Sequence, residues 1–140
     1  MLRRALRERE SKMPFPVAEQ LIAATERKLG VSFPPEFRAR MSRHNGGVVS
    51  TQEDDWQLYT FLDTSDRKRL SRTCNDIVSE TLTARGWREF PPEAIAIGAN
   101  GLGDYLVFLP LAGSTVLQTE PFIWLHETGE LEPTNISFER

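Results

Sequence analysis

The spacing of apolar residues predicts helices in the first part of the chain. Apolar side chains recur at intervals of three and four from Val17 through VAEQLIAATERKLG, which is typical of a helix with one buried stripe. Gly30 is suited to the end of this helix. Pro34 then favours entry into a second helix, on which Phe37 and Met41 share a face. This helix is expected to end at three consecutive residues that disfavour helix: Asn45, Gly46 and Gly47.

The middle of the chain predicts one strand and one long helix. Polar and apolar residues alternate in DDWQLYTFLD, which indicates a strand that carries aromatic side chains on both faces. A helix start signal follows at Thr64, and apolar spacing of threes and fours continues to Gly86. The apolar stripe comprises Leu70, Cys74, Ile77, Val78, Thr81 and Leu82. This pattern predicts the longest helix of the chain, with Cys74 buried on its apolar side.

Beyond Gly86 the pattern changes to short strands separated by turn residues. Four segments are strand candidates: EAIAIGAN, GDYLVFLPL, STVLQTE and PFIWLHETGELEP. Because helices come mainly first and strands mainly last, without regular alternation, the order favours an α+β fold. We expect a mostly antiparallel sheet packed on one face by about three helices. The expected domain spans residues 13–140 and follows a flexible N-terminal extension, residues 1–12.

The stretch IGANGLGDYLVFL, residues 97–109, raises the question whether its glycines cradle a phosphate. A dinucleotide-binding loop places its glycines between a strand and a helix, whose N-terminus holds the pyrophosphate. Here the glycines precede another strand, their order reverses the usual fingerprint, and no Lys-Ser or Lys-Thr pair follows. We therefore predict a β-hairpin in which Asn100 and Gly101 form a tight turn and Gly103 eases a bulge before Asp104.

Length and composition exclude several classes of protein. The 140 residues fit one domain, and no apolar run reaches the roughly 18 to 20 residues that span a bilayer. The start MLRRALRERESKM lacks the apolar centre of a secretory leader, and the single cysteine fits a reducing compartment. We therefore expect a cytoplasmic protein without a membrane segment.

The charged residues are unevenly distributed, although the net charge is only −3. Residues 1–43 carry a net charge of +5, residues 44–85 carry −2, and residues 86–140 carry −6. A nucleic-acid-binding protein concentrates lysine and arginine on one face, and the C-terminal strands have almost none. The distribution therefore disfavours direct nucleic-acid binding. It favours a basic protein partner, although plain solvation of the same charges is also compatible with it.

The densest acidic run lies directly before a tryptophan, in the sequence EDDW. Neighbouring carboxylates can perform acid and base chemistry in a pocket, but three on one loop are usually solvated. An acidic patch with an aromatic anchor is typical of protein interfaces. We predict that Trp87 and Trp124 are core residues. The predicted partner-binding surface is formed by Glu53, Asp54, Asp55, Trp56, Tyr59 and Glu120.

His44 and His126 are the only histidines, and neither has a ligand-spaced partner for a metal ion. We predict no metal site, and we place His44 at the end of a helix. His126 could act as a base for Cys74 or a serine, or it could serve a small hydrolase together with Glu127 or Asp104. Both arrangements require convergence in a concave pocket, and a buried Cys74 would be unreactive.

Three stretches, in their order and spacing, resemble the SUKH superfamily, which includes the yeast Smi/Knr cell-wall-assembly regulators and many bacterial immunity proteins. LIAATERKLGVSFPPEFRARMSRHNGG resembles the opening signature, with Phe33 where leucine is usual. AIAIGANGLGDYLVF is similar to the isoleucine-glycine strand and Gly-Asp hairpin, and IWLHETGE is similar to the Trp-x-His-Glu strand, with Leu125 where aspartate is common. The resemblance runs from Val17 to Glu130. The structural motif residues comprise Gly30, Pro34, Asn45, Gly46, Gly47, Gly101, Gly103, Asp104 and Trp124.

The resemblance implies a non-catalytic α+β domain that binds a protein and needs no cofactor. Bacterial members of the superfamily often protect the producing cell from secreted toxins, frequently nucleases, by binding them. Recognition is then expected outside the motif residues, in residues 50–56 and 111–121, and the expected partner is a basic toxin domain. The alternatives are a regulatory scaffold domain with another protein partner and a small hydrolase.

Overall fold

The computed structural model describes residues 14–138, so the predicted N-terminal extension, residues 1–12, lies outside the described part. The helices in this part are α1 (Glu19–Leu29), α2 (Pro35–Arg43), α3 (Arg67–Arg72) and α4 (Ile77–Ala84). The strands are β1 (Val48–Ser50), β2 (Asp55–Leu58), β3 (Ile95–Ala99), β4 (Tyr105–Phe108), β5 (Phe122–Trp124) and β6 (Leu131–Pro133).

The six strands form one antiparallel sheet in which each strand pairs with its neighbours in sequence. The helix α4 packs against β3, and α1 contacts both α2 and α4. The α+β prediction is confirmed. None of the helices within residues 14–138 is long and apolar enough to cross a bilayer. Because the sheet is a meander, the β1–β2, β3–β4 and β5–β6 turns lie at the same end of the sheet.

Aromatic side chains join the helices to the sheet. Phe37 of α2 packs edge-on against Phe108 of β4, with ring centroids 5.1 Å apart, and against Phe138 at 5.0 Å. Phe33 lies beside both Phe37 and Phe61, with centroids 5.4 and 5.3 Å away. Edge-to-face pairs of this kind contribute about 0.5–1.5 kcal/mol each beyond the area that they bury. Phe37 is fully buried, as its helix face predicts.

The long helix predicted for the middle of the chain is wrong, because the chain breaks between α3 and α4. Thr60 lies beside the break: its Oγ1 donates to the carbonyl of Thr73 at 3.1 Å, and its own carbonyl accepts from the N–H of Ile77 at 2.8 Å. The Asp76 carboxylate then caps the first turn of α4. These bonds occupy backbone groups that a continuous helix would need. Cys74 is exposed in the break instead of being buried, and α1 is the longest of the described helices.

The sheet differs from the predicted strands in four places. The strand β1 has no counterpart in the prediction, and its edge position leaves Val48 half exposed. The strand β2 ends at Leu58, earlier than predicted, because Thr60 turns to pair with the chain before α4. STVLQTE forms only isolated bridges, one to the loop after α1 and one to the chain after β4, whereas PFIWLHETGELEP contains two strands and a turn.

Asn45, Gly46 and Gly47 connect α2 to the sheet. The buried Asn45 side chain pairs with the backbone of Phe61 in both directions, because its Nδ2 donates to the carbonyl and its Oδ1 accepts from the N–H, each at 2.8 Å. Gly46 and Gly47 have φ angles of +123° and +93°, which glycine adopts more readily than other residues. In this geometry the segment holds α2 against the chain that leaves β2.

We expect Asn45→Ala to lower the free energy of unfolding by about 2–4 kcal/mol, because it leaves the buried N–H and carbonyl of Phe61 without partners. Urea denaturation followed by circular dichroism measures this change. Asn135→Ala, at an exposed position, is the matched control and should change stability by less than about 0.5 kcal/mol. A loss of stability as small as that of the control would show that the Asn45 side chain does not hold α2 against the chain that leaves β2.

Candidate functional site

Hydrogen bonds link three turns at one end of the sheet. Asn100 connects two of the turns, because its Nδ2 donates to Asp54 Oδ2 and to Asp104 Oδ2, each at 3.2 Å. Asp104 connects the third turn, because its Oδ1 lies 2.7 Å from His126 Nδ1 and accepts from the His126 N–H at 3.1 Å. We call this region the hairpin end and define it by three segments: residues 51–55, 100–104 and 125–132.

The β3–β4 turn is a five-residue loop that Asn100 holds from inside. Asn100 Oδ1 accepts from the N–H of Leu102 at 2.9 Å and from the N–H of Asp104 at 3.3 Å. Gly101 and Gly103 have φ angles of +81° and +106°, which are strained for residues with a Cβ. The antiparallel pairing of β3 with β4 confirms the predicted hairpin. The glycines therefore shape a turn between two paired strands.

Two details of the predicted hairpin are wrong. Asn100 does not take a positive φ in a two-residue turn, because its side chain closes the longer loop instead. The bulge lies within β3, between Ala96 and Gly98, rather than at Gly103. A Cβ on Gly98 would lie 2.9 Å from the carbonyl oxygen of Gln57, so the close approach of β2 requires glycine at this position.

Gly103 makes room for the pair formed by Asp104 and His126. A Cβ at Gly103 would lie 2.9 Å from atoms of the His126 ring, so the ring rests directly on the glycine backbone. Partial burial alone would raise the pKa of Asp104, but hydrogen bonds from His126 and Asn100 together outweigh burial and hold that pKa below its ordinary value. The Asp104 carboxylate is therefore stabilised in its charged form.

In many hydrolases, a histidine held by an aspartate acts as the base for a nucleophile. Within residues 14–138, no serine, threonine or cysteine side chain hydrogen-bonds to His126, and Glu127 is exposed. The same residues include no group of three or more His, Cys, Asp or Glu side chains placed to hold a metal ion. In this structure the contact of Asp104 with His126 joins two turns.

The hairpin end contains seven carboxylates and no lysine or arginine. Glu53 and Asp55 are exposed in and beside the β1–β2 turn, and Asp55 accepts from the hydroxyl of Ser50 at 2.7 Å. Charges of one sign gathered on one surface produce a potential that attracts the opposite sign over several ångströms. The carboxylates are Glu53, Asp54, Asp55, Asp104, Glu127, Glu130 and Glu132.

A groove of about 640 Å³ opens beside these carboxylates, between the β1–β2 turn and the chain that follows β6. Its apolar lining includes Ile123, Leu125 and Ile136. Apolar and acidic groups side by side suit the apolar stem and the charged head of a lysine or arginine side chain. The acidic residues that line the groove are Glu53, Asp54, Asp104 and Glu132.

The family model of the SMI1 / KNR4 family (SUKH-1) matches residues 16–140, which is most of the chain. The chain belongs to the SMI1 / KNR4 family. Comparison with curated proteins and with solved structures gives no significant match. The family match agrees with the resemblance carried by the three sequence stretches, and it spans every described helix and strand.

In this member of the SMI1 / KNR4 family, the structure separates the predicted partner-binding residues. Residues 53–55 lie together at the hairpin end, whereas Glu120 is exposed before β5, at the opposite end of that strand. Trp56 and Tyr59 are only 0% and 8% exposed, and Trp56 Nε1 donates to Thr51 Oγ1 at 3.2 Å. These two aromatic side chains are therefore not exposed anchors. Alternation along β2 is the sequence signal for the burial of Trp56, which shares the covered face with Leu58 while the other face of the strand is exposed. Tyr59 follows the strand and is buried as well.

The other two tryptophans of this family member also differ from each other. Trp124 is buried, as predicted, and its Nε1 donates to the carbonyl of Glu89 at 3.3 Å. Trp87 is 57% exposed, contrary to the prediction, and its Nε1 donates to the Tyr105 hydroxyl at 3.2 Å. The sequence signal for this exposure is Gly86, which follows α4 and removes Trp87 from the helical stripe.

We expect Gly103→Ala to destabilise the protein more than Gly101→Ala does. Both positions have positive φ, so both changes cost about 1–2 kcal/mol of backbone strain. Only the Cβ at position 103 meets the His126 ring, whereas the Cβ at position 101 meets open space. The collision should add about 1–3 kcal/mol to the loss in free energy of unfolding measured in urea. Equal losses for the two variants would show that the ring contact does not constrain the turn.

We expect Asp104→Asn to destabilise the protein at pH 7 by roughly 1–3 kcal/mol, because it removes charge-assisted hydrogen bonds. Because the pKa of Asp104 is lowered in the folded protein, its charged carboxylate stabilises the fold at pH values above the ordinary aspartate pKa of about 4. This stabilisation is lost as the pH falls through the folded-state pKa. The difference between wild type and Asp104→Asn in urea denaturation should therefore shrink below about pH 4. A difference that stays constant between pH 7 and pH 3 would contradict this assignment.

Proposed function

We propose that this protein is a non-enzymatic binding domain whose hairpin end receives a basic surface of a partner protein. The observation that carries the proposal is the convergence of seven carboxylates, without lysine or arginine, on three hydrogen-bonded turns. The bonds of Asn100 and Asp104 fix the turns relative to one another, so the acidic surface is preorganised. A preorganised surface loses less conformational entropy on binding than a mobile one does.

The partner is a basic toxin domain, and the protein acts as an immunity protein in the cytoplasm of the producing cell. Membership of the SMI1 / KNR4 family and the resemblance to bacterial immunity proteins support this role. A nuclease toxin needs basic residues to hold phosphate groups, so an acidic surface is complementary to its active site. The protein neutralises the toxin by covering that site, without chemical change to the toxin or to a substrate.

The groove adds apolar contact to the electrostatic attraction. Complementary charges mainly accelerate association and select the partner, whereas tight binding usually depends on a few well-packed anchors. Leu125 and Ile136 line the groove beside the carboxylates of Asp54 and Glu132. A lysine or arginine of the toxin would lay its stem on the apolar lining and bring its charge to the acidic rim. An interface of roughly 1,600 Å² around this anchor is sufficient for stable binding.

The role is tested by capturing the partner from the native host with the full-length protein and identifying it. The captured protein is then titrated with the immunity protein, and its toxic activity is measured at each molar ratio. Occlusion predicts a linear loss of activity that is complete at an equimolar ratio. Complete loss at a small fraction of an equivalent would indicate catalysis and contradict the proposal. A captured partner without toxic activity would make the domain a regulatory scaffold instead.

Charge reversal at the hairpin end tests the binding surface. We expect Glu53→Lys combined with Asp55→Lys to slow association with the captured partner about tenfold or more at low ionic strength, and by much less at high salt. Surface plasmon resonance at a series of salt concentrations measures the rate constants. Glu93→Lys is the matched control, because Glu93 is exposed before β3, at the end away from the β3–β4 turn. Equal slowing by the control would remove the hairpin end from the interface.

A further inference from the structure

A basic pocket lies at the end of β2 that is opposite to the hairpin end. The helix α3 has the sequence RKRLSR, with four cationic residues and no acidic residue. Three of these side chains surround the ring of Phe15: the cationic atoms of Lys68, Arg69 and Arg72 lie 5.7, 4.6 and 4.8 Å from its centroid. An aromatic face attracts cations and holds a guanidinium plane in a defined orientation. Phe15 therefore gathers positive charge at one place.

The gathered cations adjoin a cavity of about 150 Å³. Arg69 and Arg72 line it from α3, and Thr73 and Asn75 line it from the break before α4. The opposite side includes the backbone of Gly46, which has no side chain to fill the space. The lining thus combines guanidinium groups with the side-chain amide of Asn75, and both kinds of group can donate hydrogen bonds to an anion.

The described part of the chain supplies little negative charge to balance Lys68 and Arg69. Within residues 14–138, no carboxylate lies within 4 Å of the charged atoms of Lys68 or Arg69. The carboxylate that lines the pocket, Asp63, already accepts from the N–H and the hydroxyl of Ser65 at 2.9 and 2.6 Å. Like charges held close together repel, so a bound anion would relieve the repulsion.

We propose that this pocket binds a phosphate group, either as free phosphate or as a phosphomonoester. Arginine presents N–H groups in a planar fork that matches two oxygens of a phosphate, and stacking on Phe15 orients this fork before binding. Lys68 and Arg69 together carry more positive charge than the single carboxylate of Asp63 offsets, so the site attracts an anion. This site is independent of the hairpin end and does not rest on the protein partner.

Isothermal titration calorimetry of the full-length protein at constant ionic strength tests the site. Inorganic phosphate is used in one arm and phenyl phosphate in the other, with chloride as the background anion. Saturable binding in either arm supports the proposal. Tighter binding of phosphate identifies the free ion as the ligand, whereas tighter binding of phenyl phosphate identifies a phosphomonoester. Absence of saturable binding up to about 10 mM in both arms would overturn the proposal, since weaker affinity is that of unspecific ion contact.

Arg69→Gln locates the binding site. We expect it to weaken phosphate binding about tenfold or more, because it removes charge-assisted hydrogen bonds. Arg88→Gln is the matched control, since Arg88 is exposed in the loop after α4, and its affinity should stay within about twofold of wild type. Amide chemical shifts of Gly46, Thr73 and Asn75 should move on phosphate addition in wild type but not in Arg69→Gln. Equal weakening in the two variants, or shift changes elsewhere only, would contradict the assignment.

Discussion

An antiparallel meander brings alternate turns back to the same end of its sheet, and this constraint governs the surface chemistry of the protein. Residues that are far apart in sequence meet at the hairpin end because β1–β2, β3–β4 and β5–β6 are consecutive hairpins. Hydrogen bonds that Asn100 donates and that Asp104 accepts fix these turns relative to one another. They also offset part of the repulsion between the like-charged turns. The acidic surface is therefore a product of topology and of a few polar bonds beneath it.

The pair formed by Asp104 and His126 resembles part of a catalytic triad, but in this structure its hydrogen bonds connect two turns. Asp104 holds His126 as an aspartate holds the base of a hydrolytic triad. The histidine ring, however, lies on Gly103 and ties the β5–β6 turn to the β3–β4 turn. Membership of the SMI1 / KNR4 family is consistent with this interpretation, because the Gly-Asp and Trp-x-His-Glu stretches that carried the resemblance meet at this contact. Residues that make a family recognisable can thus be those that hold its turns together.

The distribution of charge gives the molecule two chemically distinct ends. The hairpin end presents carboxylates beside an apolar groove, and α3 presents cations around Phe15 at the other end of β2. The modest net charge of −3 conceals this separation. A protein with uniform surface charge would orient a partner poorly, whereas separated charges align an approaching partner before contact. The two ends therefore present opposite charges to the solvent.

The sequence alone determined the features that depend on neighbouring residues. Apolar periodicity predicts the helices that contain Ile22 and Phe37. Local backbone preferences, which act within a few residues, predict the glycine-containing helix ends and the β3–β4 hairpin. The uneven charge was also visible in the sequence. These features indicated the fold class and the family.

Only the tertiary structure decided where contacts between distant segments override the local sequence pattern. Thr60 approaches from β2 and takes the backbone groups around Asp76, so a continuous helical pattern becomes two helices. Trp56 is buried although it follows an acidic loop, because it lies with Leu58 on the face of β2 that the rest of the structure covers. The meeting of Asp54, Asp104 and His126 likewise depends on strand order. Contacts between distant segments carry no periodic signal, because their free energy arises only when the chain has folded and brought those segments together.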